Sequence, residues 1–374
     1  MHVTNEELNS SIQRQVENLA SRLRRRSVVG SRVAALETVR LLRQVVSKAR
    51  FHNIEQLVRI IRTVGRRLVD AQPKEHSVGN TVRKVLHHIR EEYRTATQGT
   101  AANAVSKDQY TISKFVLLGQ PRRAAVAQKS ETKGTLKEND PEDPDSFARG
   151  LKPVLMEAIQ DVLDELETVY DNISRNAKDH IHPDEIVLTI GMSHTVEAFL
   201  KTASHSRTFT VIVAESAPSY GGRQMAESLS AAGVSTFLVP DSSIYALMSR
   251  VNKVVLGAHA ILANGGMFAV TGSLLTATAA RAHSTPVVVC TGQFKMTPLW
   301  NLYHEYGALD FGDPSAVLSF EEGDLVDKVD VVNPYYDYVR PEMVDAYITN
   351  DGDHPPSSIY RLLKETYDDE DTEL

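Results

Sequence analysis

The chain has 374 residues, 42% hydrophobic and 24% charged, with a formal net charge of −7. This is ordinary for a globular protein with room for two cores. No apolar run approaches the roughly 18 residues of a membrane span. The polar opening MHVTNEELNSSIQ lacks the basic-then-apolar order of a secretory signal, and a lone Cys290 cannot form an internal disulfide. A soluble cytoplasmic protein with no membrane partner is expected.

The net charge hides an asymmetry. Residues 1–99 hold 19 Lys and Arg against 9 Asp and Glu, whereas residues 100–374 hold 22 against 39. Such a split points to different partners for the two halves, although any single Arg reads as the solvated face of a helix.

Residues 5–95 read as all-helical. Leu57, Ile60, Ile61, Val64 and Leu68 recur at helical steps, with Arg59, Arg62 and Arg66 on the opposite face. Thr38, Leu41, Leu42, Val45 and Val46 form a second stripe, and Val82, Val85, Leu86 and Ile89 a third. Gly30-Ser31 and Gln72-Pro73 are breaks, with Ser31 expected to cap the following helix. The cluster Arg22, Arg24, Arg25 and Arg26 has no interleaved aromatics, so no direct nucleic-acid contact is expected.

From 98 to 150 periodicity vanishes and a Pro-broken acidic run covers 137–145, so a disordered insertion is expected, with the apolar piece 115–118 docking locally. Helix resumes over 151–174. Its stripe is Val154, Leu155, Ala158, Ile159, Val162, Leu166 and Val169, and Glu157, Asp161, Asp164 and Glu165 make an acidic outer side.

After His180 strands and helices alternate. Residues 186–190, 210–214, 234–239 and 254–257 read as strands, separated by helices through Val196 and Phe199, through Leu229, and over 242–251. Residues 254–291 are the clearest unit: strand, Gly-rich turn, small-residue helix over 271–283, and strand over 287–291. Residues 329–332 read as one more strand, with closing helices over 341–348 and 357–366. The fold class expected is α/β: an N-terminal all-helical domain (1–97), the insertion (98–150), a helix completing or linking that domain (151–179), and a C-terminal Rossmann-like parallel sheet domain (180–374). The GxGxxG phosphate fingerprint is absent after its first strand.

Three turns should converge at the carboxyl ends of the strands, where open α/β sheets bind ligands: Gly191-Met192-Ser193, Glu215-Ser216-Ala217-Pro218, and Gly257-Ala258-His259 with Asn264-Gly265-Gly266. Only Glu215 and His259 among them titrate, and a lone His beside a Gly-rich turn is more often structural than catalytic. Cys290, ending an apolar run, reads as a small hydrophobe. Asn264, Gly265, Gly266, Thr271 and Ser273 retain donors for a phosphate at a helix N-terminus, the basis of a small-molecule sensor reading. No metal set and no cofactor motif is present in these turns.

The blocks IVLTIGMSHTVEAFL, VIVAESAPSYGGRQMA, VNKVVLGAHAILANGGMFAVTGS and STPVVVC, in that order, resemble the regulatory subunits of eukaryotic translation initiation factor 2B. VVGSRVAALETVRLLRQVV, AQPKEHSVGNTVRKVLHHIREEY and the tail from Asn333 extend the resemblance over nearly the whole chain apart from 98–150. It implies a non-catalytic scaffold of a guanine-nucleotide exchange factor complex. The partners implied are the delta subunit, through the C-terminal domains, with the alpha, gamma and epsilon subunits and the alpha subunit of initiation factor 2, whose phosphorylation the complex senses in the integrated stress response. Glu157 and Asp161 are candidates for the substrate factor. His182 and Asp184, with Tyr335, Tyr336, Tyr338 and Tyr347, are candidates for the permanent interface, the tyrosines being equally suited to packing within their own domain.

The rival reading is an isomerase of methylthioribose 1-phosphate or ribose 1,5-bisphosphate, enzymes that share this fold. The resemblance implies a Cys in the first turn, an Arg before the Pro of the second, and an Asp after Gly-Ala in the third. Here those places hold Gly191-Met192-Ser193, Ala217 and His259. Cys290 lies on a different strand, so the expected chemistry is silent.

Overall fold

The computed structural model describes residues 10–49, 51–102, 144–300 and 310–374. Four helices come first: α1 (Ser10–Arg24), α2 (Ser31–Lys48), α3 (Ile54–Ala71) and α4 (His76–Ala102). All three expected apolar stripes are buried. Asn53 caps α3 by accepting from the Gln56 amide, and the helix stops at Gln72 before Pro73. Ser31 is not a cap. Gly30 takes that position with φ 96°, leaving the Ser31 hydroxyl free to turn elsewhere.

α5 (Pro144–Ser174) packs on α2 and α4, which joins it to the helical bundle. Val154 departs from its expected stripe and is exposed, whereas Leu163 is buried. Helix enters the expected insertion from both ends, to Ala102 and from Pro144; the rest of that expectation, 103–143 with the 115–118 piece, lies outside the described residues.

Beyond α6 (Ala177–His180) the elements run β1 (Ile186–Ile190), α7 (His194–Ser204), β2 (Thr210–Ala214), α8 (Gly221–Ala231), β3 (Ser235–Val239), α9 (Ile244–Met248), β4 (Lys253–Gly257), β5 (Ala260–Ile261), β6 (Met267–Val270), α10 (Ser273–Ala282), β7 (Val287–Cys290), α11 (Gly323–Val326), β8 (Tyr336–Val339), β9 (Ala346–Ile348), β10 (Asp353–His354) and α12 (Ile359–Thr366). The main sheet has the order β10-β9-β7-β4-β1-β2-β3, parallel throughout except for β10. From β3 to β9 this is the doubly wound order whose direction of winding reverses between β1 and β4. A small antiparallel sheet, β5-β6-β8, is inserted after β4.

Three expectations fail in this half. Residues 329–332 are not a strand; β8 begins at Tyr336 and joins the small sheet. Residues 341–348 are not a helix: Pro341 opens a single 3-10 turn to Met343, and Ala346–Ile348 then pairs with β7. Pro341 reads as a helix start, but the β-branched and aromatic residues after it follow the strand beside them. The Asn264-Gly265-Gly266 turn is the tip of the β5–β6 hairpin rather than the exit of β4.

Strand side chains alternate between two cores. Val187, Val211, Val213, Val255, Val288 and Cys290 face α7 and α8 and share one continuous cluster with the helical bundle. Leu188, Ile212, Val254, Leu256, Val287 and Val289 face α9, α10 and α12.

The charge asymmetry is partly answered inside the chain, because Arg62 and Arg66 are not simply solvated. Arg62 Nε donates to Asp371 at 2.7 Å, and Arg66 Nε to the Leu374 carbonyl at 2.9 Å. Arg83 donates to the Asp371 carbonyl at 2.9 Å, and Arg90 pairs with both Asp368 and Asp371. The basic faces of α3 and α4 grip the acidic C-terminus.

Candidate functional site

A cleft of about 280 Å³ opens at the carboxyl ends of β1 and β4. Its floor is Ile190 at the end of β1 with Met192 and Ser193 beyond it, and Gly257 at the end of β4 with Ala258 and His259 beyond it; the start of α2 with Tyr170, Lys295 and Tyr336 closes it. Ser193 caps α7 by accepting from the Val196 amide. Gly257 must be glycine: a Cβ there would come within 2.3 Å of Ser193 Oγ.

His259 has both ring nitrogens occupied. Nε2 lies 3.0 Å from the Lys74 carbonyl, which only accepts, so Nε2 carries the proton. Nδ1 therefore accepts from the Ser31 hydroxyl at 3.3 Å. The ring stacks on Tyr336 at 4.0 Å and 13°. His76 lies beside it at 6.1 Å, its pKa pushed down to about 3 by burial. These contacts join the start of α2, the α3–α4 turn and β8.

The cations are committed as well. Lys295 Nζ donates to the Ala258 carbonyl at 2.8 Å, and burial lowers it to about 8. The Arg32 guanidinium bonds the Leu166 and Glu167 carbonyls and lies 4.6 Å from the Tyr170 ring centre. At the rim, His194 sits 3.2 Å from Glu197. Burial would raise that carboxyl, but bonds from Lys201, Ser228 and His194 hold it down to about 2.

The remaining turn residues lie off the cleft. Glu215 faces Arg223 at 3.5 Å, and the Ser216 and Ala217 amides donate to Asp241. At the hairpin tip Asn264 donates to the Tyr338 hydroxyl, the Gly265 carbonyl accepts from Tyr347, and the Gly266 amide donates to Asn264. The expected phosphate cradle is filled from within. The amides of Gly272 and Leu274 at the start of α10 both donate to Asp337, Thr271 donates to the Pro334 carbonyl, and Ser273 is buried. A second anion at this end would meet a carboxylate already in place. Cys290 is buried on β7 facing the helical core, and burial pushes its thiol up.

The partner candidates divide. Glu157 and Asp161 are exposed on α5, while Glu165 on the same ridge pairs with Lys84. His182 and Asp184 are exposed at the amino end of β1. Tyr336, Tyr338 and Tyr347 pack inside their own domain, whereas Tyr335 is 39% exposed under the Arg26 guanidinium. Sequence reasoning missed Tyr170, Lys295 and the start of α2 as cleft walls, because chain folding rather than any motif brings them there.

The arrangement defines a Rossmann-like α/β protein with a cleft at the switch point of its sheet. The chain belongs to the initiation factor 2 subunit family, which matches residues 27–356. It is 40% identical over 384 aligned residues to the eIF2B beta subunit of Schizosaccharomyces pombe, covering 96% of this chain and 97% of that protein. The crystal structure of eIF2B beta from Chaetomium thermophilum superposes with a TM-score of 0.72 at 30% identity, covering 96% of this chain and 94% of that one. A tetrameric beta2-delta2 complex from the same organism matches with a TM-score of 0.68 at 30% identity, covering 96% of both chains. The 5-methylthioribose 1-phosphate isomerase of Pyrococcus horikoshii shares the fold at 17% identity, with a TM-score of 0.55 and coverage of 94% and 87%.

Proposed function

We propose that this chain is a non-catalytic regulatory subunit of the guanine-nucleotide exchange factor for initiation factor 2. It pairs with a delta subunit, assembles with alpha, gamma and epsilon subunits, and helps hold the alpha subunit of initiation factor 2 so that its phosphorylation is sensed. The observation that carries the non-catalytic part is the state of the cleft: His259 spends both nitrogens on the helical half, and Lys295 and Arg32 are bonded to backbone carbonyls. Among the described residues of the cleft, His259, Lys295 and Arg32 are thus bound to protein partners rather than turned to a sugar phosphate.

Pairing is assigned to the β3 edge of the main sheet. Phe237 and Leu238 on that edge strand, whose one described neighbour is β2, are 59% and 47% exposed, and Tyr245 on the following α9 is 60% exposed. An open apolar edge of this kind calls for a permanent cover. His182 and Asp184, exposed at the amino end of β1, are the further candidates for the pairing surface. The outer face of α5 around Glu157 and Asp161 is left for the transient partner.

Co-expression with a delta subunit tests the reading. A 1:1 pair that withstands gel filtration, lost in Phe237→Asp/Leu238→Asp, is expected, as is weaker binding of initiation factor 2 alpha by Glu157→Lys/Asp161→Lys. Isomerisation of an aldose phosphate by the purified chain would overturn the proposal, as would a failure to pair.

A further inference from the structure

Residues 311–332 contain no buried residue, although apolar side chains recur along them. Val317, Phe320, Leu325, Val329 and Val332 are 54%, 72%, 44%, 47% and 53% exposed. Compact surface loops are usually packed by their own side chains; this one turns its apolar residues outward.

The neck of the loop is nevertheless closed. The Gly312 amide donates to the Asn333 carbonyl at 2.7 Å, Asn333 Nδ2 to the Asp313 carbonyl at 2.9 Å, and the Tyr335 amide to the Asp310 carbonyl at 2.8 Å. Phe311 and Pro334 form a β-bridge, and Asp310 pairs with Arg26 of the helical half. Two short helical turns, Pro314–Ala316 and α11, shape the loop beyond the neck.

The charge around the apolar residues says what fits them. Glu321, Glu322, Asp324, Asp327 and Asp330 lie within the stretch from 319 to 332, with Lys328 its single cation. Such a rim repels a second copy of itself, nucleic acid and an anionic membrane alike, and attracts Lys and Arg. We propose that the 313–332 loop is a docking surface, separate from the β3 edge, for a partner subunit whose apolar face is rimmed by basic residues. This rests on the reading of the chain as a subunit of a larger assembly.

The test compares amide hydrogen exchange over 313–332 in the isolated chain, in its pair with delta, and in the assembly co-expressed with the alpha, gamma, delta and epsilon subunits. Protection of 313–332 is expected in the full assembly but not in the delta pair. Phe320→Ser/Val329→Ser should weaken incorporation of the protecting subunit at least about tenfold, as loss of central apolar anchors does. It should leave the melting temperature of the isolated chain and the delta pair unchanged. Glu321→Lys/Asp324→Lys/Asp327→Lys should give a similar loss that shrinks as salt is raised. A loop that stays unprotected in an otherwise complete assembly, protection by self-association of the isolated chain, or double-serine variants that assemble normally would each overturn the proposal. Failure to pair with delta at all would instead sink the subunit reading itself.

Discussion

Asp371 offers the sharpest test of how the two halves are held together. Its side chain is fully buried, and its carboxylate meets Arg62 and Arg90 while its own carbonyl accepts from Arg83. Asp371→Asn keeps the shape and removes the charge, leaving the guanidinium groups with Asp368 and Glu370 as their nearest anions. Removing one member of a buried pair costs about 3–5 kcal/mol. The Arg62 and Arg90 side chains are 30% and 14% exposed, so water recovers part of that loss. A cost of about 2–4 kcal/mol is expected, which at about 2 °C per kcal/mol for a chain of this size lowers the melting temperature by about 4–8 °C. Glu370, whose side chain is 78% exposed, is the control: Glu370→Gln should cost no more than about 1 kcal/mol. Differential scanning fluorimetry, checked by far-UV circular dichroism, measures both. If Asp371→Asn melted within about 1 °C of the parent, or no lower than Glu370→Gln, Asp371 would not join the halves.

Two other outcomes follow from buried groups. His76 is held down to about 3 from 6.5, first by burial and then by the neighbouring charge of His259, Arg83 and Lys74. Between those values the unfolded chain binds a proton that the folded chain refuses, so stability falls as pH drops through that window, by up to about 1.4 kcal/mol per pH unit. Urea titrations at pH 7, 6 and 5 should show His76→Gln losing less stability than the parent over this range; equal losses would refute the assignment. Cys290, buried on β7, should resist a maleimide reagent in the native state and react fully once the chain is unfolded in urea. Labelling of the native chain at the rate of a free thiol would contradict its placement.

Much of this fold is legible in the residues because burial imposes periodicity. The stripes of α2, α3 and α4 and the β-branched runs of β1, β2, β4 and β7 face a core, and the core allows no other pattern. What was not legible depended on distant partners. Met267–Val270 is an apolar run like many others, and only pairing with β5 and β8 makes it a strand of a second sheet. Ala346–Ile348 follows a helix-start signal but is captured by the open side of β7. The same limit governs the site. Turn residues placed His259 and Met192 correctly after β4 and β1, yet the partners that occupy His259 come from Ser31 and Lys74, more than 180 positions away. Arg62 and Arg66 read as helix surface until the C-terminal residues lie across them.

His259 serves as a joint between the helical half and the sheet. An imidazole can donate to the Lys74 carbonyl, accept from Ser31 and present a flat face to Tyr336, all at once. A carboxylate can do only the second of these, and it would set an anion against the Lys74 carbonyl. His259→Asp should therefore destabilise the chain, through a lost stack and an unsatisfied acceptor at the seam between helices and sheet, by about 2–3 kcal/mol. It should also gain no sugar-phosphate turnover, because Lys295 and Arg32 at the cleft stay bonded to backbone carbonyls. Thermal melting and a coupled assay with methylthioribose 1-phosphate report the two outcomes separately. A His259→Asp chain as stable as the parent would mean that the joint is not made by this ring, and turnover of the sugar phosphate would mean that the cleft had kept more chemistry than its side chains provide.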